Sequence, residues 1–417
     1  MLKQIEGSQA MAQAIALCRP EVICAYPITP QTHIVEGLGA LVKSGELKHC
    51  EYINVESEFG ALSVAIGSSA AGVRTYTATS SQGLLFMMEA VYNASGLGLP
   101  IVMTVGNRAI GAPINIWNDH SDAMSMRDSG WIQLFAETNQ EAVDLHIMAF
   151  RLAEHLSVPV AVNVDGFILT HAVERIDIPE QAQVDAYLPK FEPIQELDPK
   201  APLSIGAMVP PELFMEVRYL DHHKQMRALE LIPQFAAEFK AAFGREAGGL
   251  VRPYKIDDAE TVVVAMGSVM GTIKDVIDDM RDDGHKIGAL HIGSFRPFPT
   301  DEVRDALLNA KRIVVLEKCL AVGMGGILAS HVRMALRGRP QHVYTLVAGL
   351  GGRPVLMKSL RTFLTKVEGE PHADLHFLDL NNEVVNREIE RIAQERRSGP
   401  TAENLLKHLH AKSKAAV

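Results

Sequence analysis

The feature that most constrains this fold is an alternation of short aliphatic runs with stretches of helical spacing, carried twice along the chain. Val22–Tyr26, Arg74–Thr79, Pro100–Val105 and Val158–Val164 have the length and apolar content of buried strands. Between them, Thr32–Val42, Glu56–Ala71, Gly83–Tyr92 and Glu141–Glu154 read as helices. Strands that are apolar on both faces must be covered on both faces, which a βα series achieves as a parallel sheet with helices packed against it. The expected class is α/β, and in such sheets ligands sit beyond the carboxyl ends of the strands. A second series follows, with strands at Thr261–Met266, Ile287–Ile292, Arg312–Leu316 and Val343–Ala348 and a helix at Met270–Arg281.

The two series are separated by Ile176–Pro211, where prolines and isolated hydrophobes suggest a long surface connection, and by Asp221–Phe243, which regains helical periodicity. Gly244–Pro253 holds three glycines and a proline and marks the expected boundary. The resulting division is a first domain with its connecting segment over 1–245, a second over 255–380, and a charged helical tail over 381–417. A chain of 417 residues is too long for one ordinary core. The 40 Lys and Arg against 50 Asp and Glu give a formal charge of −10, which argues against a nucleic-acid or anionic-membrane binder. Neither a signal peptide nor a membrane span is evident, and the four cysteines are scattered without a CxxC pair. A cytoplasmic location is expected.

Three segments carry candidate chemistry. In Tyr26-Pro27-Ile28-Thr29-Pro30-Gln31-Thr32, two prolines leave the Thr29 hydroxyl free between them. Thr29 reads either as a helix cap, with Pro30 in the first turn, or as a ligand contact. Glu58 lies in Val55-Glu56-Ser57-Glu58-Phe59-Gly60-Ala61, ahead of a run of small residues. It reads either as a dipole-favoured acid of a first turn or as a partly desolvated acid–base group. The polar loop from Gly106 to Asp128 begins at a strand end and holds Arg108 and Trp117. Arg108 has the planar fork for a substrate carboxylate, or pairs with Asp119, Asp122 or Asp128. Asp119-His120-Ser121-Asp122 reads as a hydrogen-bond network that orders the loop, not as a metal site. The glycine-rich Gly323–Gly326 and Gly349–Arg353 match no phosphate loop and read as turns.

Together these strings resemble the α subunit of the multi-subunit 2-oxoacid:ferredoxin oxidoreductases. The resemblance rests on Tyr26 to Thr32, Val55 to Glu58, Asn107 to Ala109, and Asp119 to Leu134, in the family's order. It implies two parallel-sheet βα domains, the first with the thiamine-diphosphate pyrimidine-binding fold and the second resembling a transketolase carboxyl-terminal domain. It also implies CoA-dependent oxidative decarboxylation of a 2-oxo acid to an acyl-CoA and CO₂. Glu58 would then hydrogen-bond the pyrimidine N1′, Thr29 the substrate's oxygens, and Arg108 the substrate carboxylate. The chain has no GDG-type diphosphate–magnesium signature and no cluster cysteines. The resemblance therefore places Mg²⁺ and the 4Fe-4S clusters on partner subunits, namely β, γ and a ferredoxin-like δ, with ferredoxin or NAD as the electron acceptor. The substrate is less defined. Ile114-Asn115-Ile116-Trp117-Asn118 stands where pyruvate members usually read Ile-Asn-Ile-His-Cys. Trp117 either stacks on an aryl 2-oxo acid such as phenylglyoxylate or packs the loop of a pyruvate enzyme, with indolepyruvate and branched-chain acids behind these. The rivals are a non-catalytic structural subunit and a nucleotide-binding oxidoreductase that would use its glycine loops.

Overall fold

The structure, a computed structural model, describes residues 2–369, 373–394 and 401–415. Two sheets dominate it. The first has seven strands in the order Ser294–Arg296, Ile132–Phe135, Val160–Asp165, Ile101–Asn107, Thr75–Thr79, Val22–Ala25 and Glu51–Asn54. All are parallel except Ser294–Arg296, which runs antiparallel to Ile132–Phe135. The second has six strands, in the order Leu375–Phe377, His342–Val347, Arg312–Glu317, Thr261–Ala265, Ile287–Ile292 and Val251–Tyr254, with only the last antiparallel. The α/β expectation from the alternating pattern therefore holds.

Burial explains the pattern. Thr75–Thr79, Ile101–Asn107 and Val160–Asp165 are buried at every position, so they read as continuous runs with no period-two alternation. Helix Asn139–Leu156 lies under the first sheet and contributes Leu145, Met148, Phe150 and Leu152 to its core. Thr138 caps that helix, accepting from the Glu141 N–H at 3.1 Å. Helix Pro211–Phe243 spans 33 residues, starting ten residues before the periodicity becomes legible. Its first half lies exposed on the surface, and only Ala228, Leu231, Ile232, Phe235 and Phe239 are buried.

Other departures are local. Gly83–Tyr92 divides into helices Ser81–Phe86 and Met88–Gly96. The connection after Ile176 is less irregular than expected, since Val173–Asp177 pairs antiparallel with Leu2–Glu6 and Gln181–Tyr187 is helical. The tail forms helices Asn382–Gln394 and Thr401–Ala415, while positions 395–400 and 416–417 lie outside the described residues. Among the described residues, no helix is long and apolar enough to cross a membrane.

Candidate active site at the carboxyl ends of the first sheet

Glu58 opens helix Glu58–Ala70, immediately after its cap Ser57, whose hydroxyl accepts the Gly60 N–H at 3.1 Å. The first-turn placement satisfies the dipole reading, yet the side chain does not turn out to water. Glu58 is 9% exposed, and its carboxylate has no hydrogen-bond or ionic partner among the described residues. It lies in a notch made by Gly83, where an added Cβ would come within 2.8 Å of Glu58 Oε1 and 2.7 Å of Thr79 Oγ1. Glycine is therefore needed at position 83 for close approach. Thr79 Oγ1, at this notch, is buried without a partner, as are Ser80 Oγ and Gln31 Oε1, whose side chains lie together against Gly106 at the end of a neighbouring strand. Buried polar atoms are nearly always satisfied, so this cluster at the strand ends has the character of a site shaped for a polar ligand.

Arg108 follows strand Ile101–Asn107 and is 6% exposed. Its Nη1 donates to the Thr29 carbonyl at 2.9 Å and its Nε to the Asn115 carbonyl at 3.1 Å. The guanidinium forms no ion pair with Asp119, Asp122 or Asp128 among the described residues; Asp128 pairs instead with Arg127 and Arg296. Arg108 thus has no carboxylate in ion-pair contact among the described residues, and burial lowers its pKa against the opposing pull of Asp122. Thr29 itself is exposed, and its hydroxyl has no partner among the described residues. The capping alternative fails, because the helix begins at Thr32 with Gln31 at the cap position.

The loop network expected of Asp119-His120-Ser121-Asp122 is present. Asp122 Oδ2 accepts the backbone N–H groups of Ser81, at 3.0 Å, and Arg108, at 2.9 Å, while Oδ1 accepts Asn107 Nδ2 at 3.1 Å. Ser81, with φ +48°, is held in the left-handed region by this bond and by its own hydroxyl on the Ala109 carbonyl. Contacts therefore run from Glu58 through Gly83 and Ser81 to Asp122 and Arg108. Burial pushes the Asp122 carboxyl up to about 7, although the N–H groups around it pull the other way. A carboxyl raised in the folded state favours folding below its unfolded value of about 4 and loses that contribution as pH rises through about 7. The melting temperature of the natural chain relative to Asp122→Asn should thus be higher at pH 5.5 than at pH 7.5; thermal unfolding at the two pH values checks this.

Trp117 is 52% exposed, with its ring centroid 4.7 Å from that of Phe167. Phe167, at φ +62°, was not singled out by the sequence pattern, and neither were Gly83, Ser81 and Asn115. The local signals are that Gly83 opens the helical run Gly83–Tyr92 and that Asn115 precedes Trp117 in the polar loop.

The fold and the site define a two-sheet α/β chain with a cluster of polar side chains at the carboxyl ends of its first sheet, around a notch that holds the Glu58 carboxylate. Residues 13–236 match the family described as pyruvate flavodoxin/ferredoxin oxidoreductase, thiamine diphosphate-binding, and residues 259–360 match pyruvate:ferredoxin oxidoreductase core domain II. The chain belongs to the pyruvate flavodoxin/ferredoxin oxidoreductase family. It is 46% identical over 392 residues to a pyruvate synthase subunit of Methanosarcina barkeri, covering 91% of this chain and 97% of the relative. Identity to the corresponding subunit of Thermotoga maritima is 44%, with 89% and 95% covered. A ketoisovalerate oxidoreductase subunit of Pyrococcus abyssi is 39% identical, with 86% and 91% covered. Among solved structures, a 2-oxoglutarate:ferredoxin oxidoreductase from Magnetococcus marinus superimposes with a TM-score of 0.68 at 18% identity, which shows the shared fold. That match covers 88% of this chain and 65% of the longer one.

Proposed function

We propose that this chain is the α-type subunit of a thiamine-diphosphate-dependent 2-oxoacid oxidoreductase that converts pyruvate, CoA and an oxidised acceptor to acetyl-CoA and CO₂. The observation that carries this reading is the Glu58 carboxylate in the Gly83 notch, without a partner among the described residues and beside the unsatisfied Thr79 Oγ1, with the unsatisfied Ser80 and Gln31 oxygens against Gly106. These residues fit the pyrimidine half of the cofactor, a flat ring with hydrogen-bonding nitrogens at its edge. When bound, the cofactor supplies a nucleophilic carbon for the ketone and an electron sink for the bond to CO₂. Glu58 would hold the proton shared with the pyrimidine N1′. Arg108, without a carboxylate of its own, receives the substrate carboxylate. Its guanidinium is fixed by the Thr29 and Asn115 carbonyls, so little orientation is lost on binding. The free Thr29 hydroxyl serves the substrate's oxygens.

Partner subunits supply the diphosphate and Mg²⁺ side of the site, the 4Fe-4S electron path and the contact with ferredoxin or NAD. The apolar surface next to Glu58 supports a shared site. Phe59 and Phe86 have ring centroids 6.3 Å apart and, with Leu85 and Tyr92, are exposed on this chain alone. Pyruvate is favoured over an aryl acid by the pyruvate synthase relatives and by Trp117, whose ring rests on Phe167. The test is CoA-dependent viologen reduction by the anaerobically purified complex, with pyruvate and phenylglyoxylate side by side. Pyruvate is expected to be the better substrate by kcat/KM. A preference for phenylglyoxylate would place Trp117 in the pocket and overturn the substrate assignment.

A further inference from the structure

The second sheet reaches into the substrate loop through a buried polar cluster. Lys318 directly follows strand Arg312–Glu317 and is 5% exposed. Its Nζ donates to Asn118 Oδ1 and, at 3.0 Å, to Asp165 Oδ2, while its carbonyl accepts the His120 N–H at 2.8 Å. Asp165 ends a first-sheet strand and also accepts from His120 Nε2 at 2.7 Å, from Asn118 Nδ2 at 3.2 Å, and from the Ser268 N–H at 2.9 Å. Burial alone would raise the Asp165 carboxyl, but Lys318 and His120 override it and hold it well below the usual carboxylate range. Ser268 and Lys318 stand at the carboxyl ends of Thr261–Ala265 and Arg312–Glu317, the adjacent strands where the order of the second sheet reverses. In open parallel sheets that crevice is where ligands bind. Here a carboxylate of the first unit fills it.

A second contact lies alongside. Asn115 Nδ2 donates to the Gly351 carbonyl at 3.2 Å, Asp119 Oδ2 accepts the Gly351 N–H at 3.1 Å, and Asn118 O accepts the Gly352 N–H at 2.7 Å. An added Cβ at Gly352, where φ is +79°, would come within 2.4 Å of Trp117 Cβ. The second unit thereby grips the loop at 115, 117, 118, 119 and 120. Asn115 is the residue whose carbonyl holds Arg108.

We propose that Lys318 is a positioning residue for the 2-oxo-acid subsite, acting through Asn118 to set the loop that carries Arg108; this rests on the functional reading above. The chemistry is electrostatic. A buried ammonium tied to both a loop amide and an aspartate of the first sheet fixes the loop against the sheet edge, without touching substrate.

The test uses the assembled complex with Lys318→Met, Lys318→Arg and Asn118→Ala. Lys318→Met strips Asp165 of its buried cation and can fail to fold. Asn118→Ala leaves the Lys318–Asp165 pair intact and removes the Lys318 tie to the loop, together with the Asn118 Nδ2 bonds to Asp165 and to the Asn107 carbonyl. The expected result for Asn118→Ala is a rise in KM for the 2-oxo acid of about tenfold or more, with the KM for CoA unchanged and thiamine diphosphate content at the natural level. Lys318→Arg should fall between Asn118→Ala and the natural protein. A second readout does not need turnover. Of the chain's two tryptophans, Trp131 is buried, so acrylamide quenching measured on the separate chain reports on Trp117 and should increase in Asn118→Ala. A folded Asn118→Ala complex with natural KM and quenching overturns the proposal, as does a uniform rise in KM for acid, CoA and acceptor. Glu58→Gln run in parallel separates the two levels. If it retains activity, the functional reading fails; if it is inactive while Asn118→Ala is unchanged, only the positioning role fails.

Discussion

Glu58→Gln should lower kcat of the assembled complex by about 10²–10⁴-fold, the range general acid–base groups command, while leaving the fold intact or slightly more stable. Both halves follow from the same observation. Glu58 is 9% exposed and its carboxylate has no partner among the described residues, so no described group compensates its charge. Glutamine has the same shape, fits the Gly83 notch and carries no charge to desolvate. It cannot exchange a proton, however, and its amide cannot support ionised chemistry at the pyrimidine N1′. Residues retained at a cost to stability are characteristic of functional sites. The measurement is steady-state viologen reduction together with thermal unfolding of the separate chain. Activity within a fewfold of natural would mean that the chain is a structural subunit. A fall in activity that tracks a fall in melting temperature would reduce Glu58 to a packing residue.

How much of this was legible beforehand differs between the two levels of structure. The strands Ile287–Ile292 and Arg312–Glu317 stand out locally because every position is buried, or nearly so, and a run of Val, Ile and Leu needs no tertiary information to be recognised. Leu2–Glu6 does not stand out: it is short and partly exposed, and it becomes a strand only by pairing with Val173–Asp177, more than 160 residues away. Ser294–Arg296 joins the first sheet although its sequence neighbours belong to the second, and local pattern carries no such assignment. The site shows the same split. Thr29, Glu58 and Arg108 were marked by residue type within strings typical of a family. The features that give them meaning, namely the Gly83 notch, the Thr29 carbonyl on Arg108 and the Lys318 anchor on Asn118, are contacts across 25 to 200 positions. They exist only after the sheets are assembled.

The second large effect is expected at Arg108. Arg108→Ala should reduce kcat/KM for the 2-oxo acid by roughly 30- to 5,000-fold, the equivalent of about 2–5 kcal/mol for removing one partner of a buried, hydrogen-bonded charge pair. The loss should fall mainly on the KM for the 2-oxo acid, because the carboxylate is held alike before and during reaction, and the KM for CoA should not move. Arg108→Lys separates charge from geometry. Lysine keeps the cation but presents one tetrahedral ammonium, which cannot serve the Thr29 and Asn115 carbonyls and a substrate carboxylate in one plane. It should recover part of the loss, remaining about an order of magnitude short of the natural side chain where orientation matters as much as charge. Were Arg108 only a staple between two loop carbonyls, its removal would leave two acceptors without a donor and cost about 1–3 kcal/mol of stability. Active complex would then become scarcer, but its KM for the acid would not change. The split between KM and active fraction, read from steady-state kinetics normalised to thiamine diphosphate content, decides between a carboxylate receptor and a loop staple.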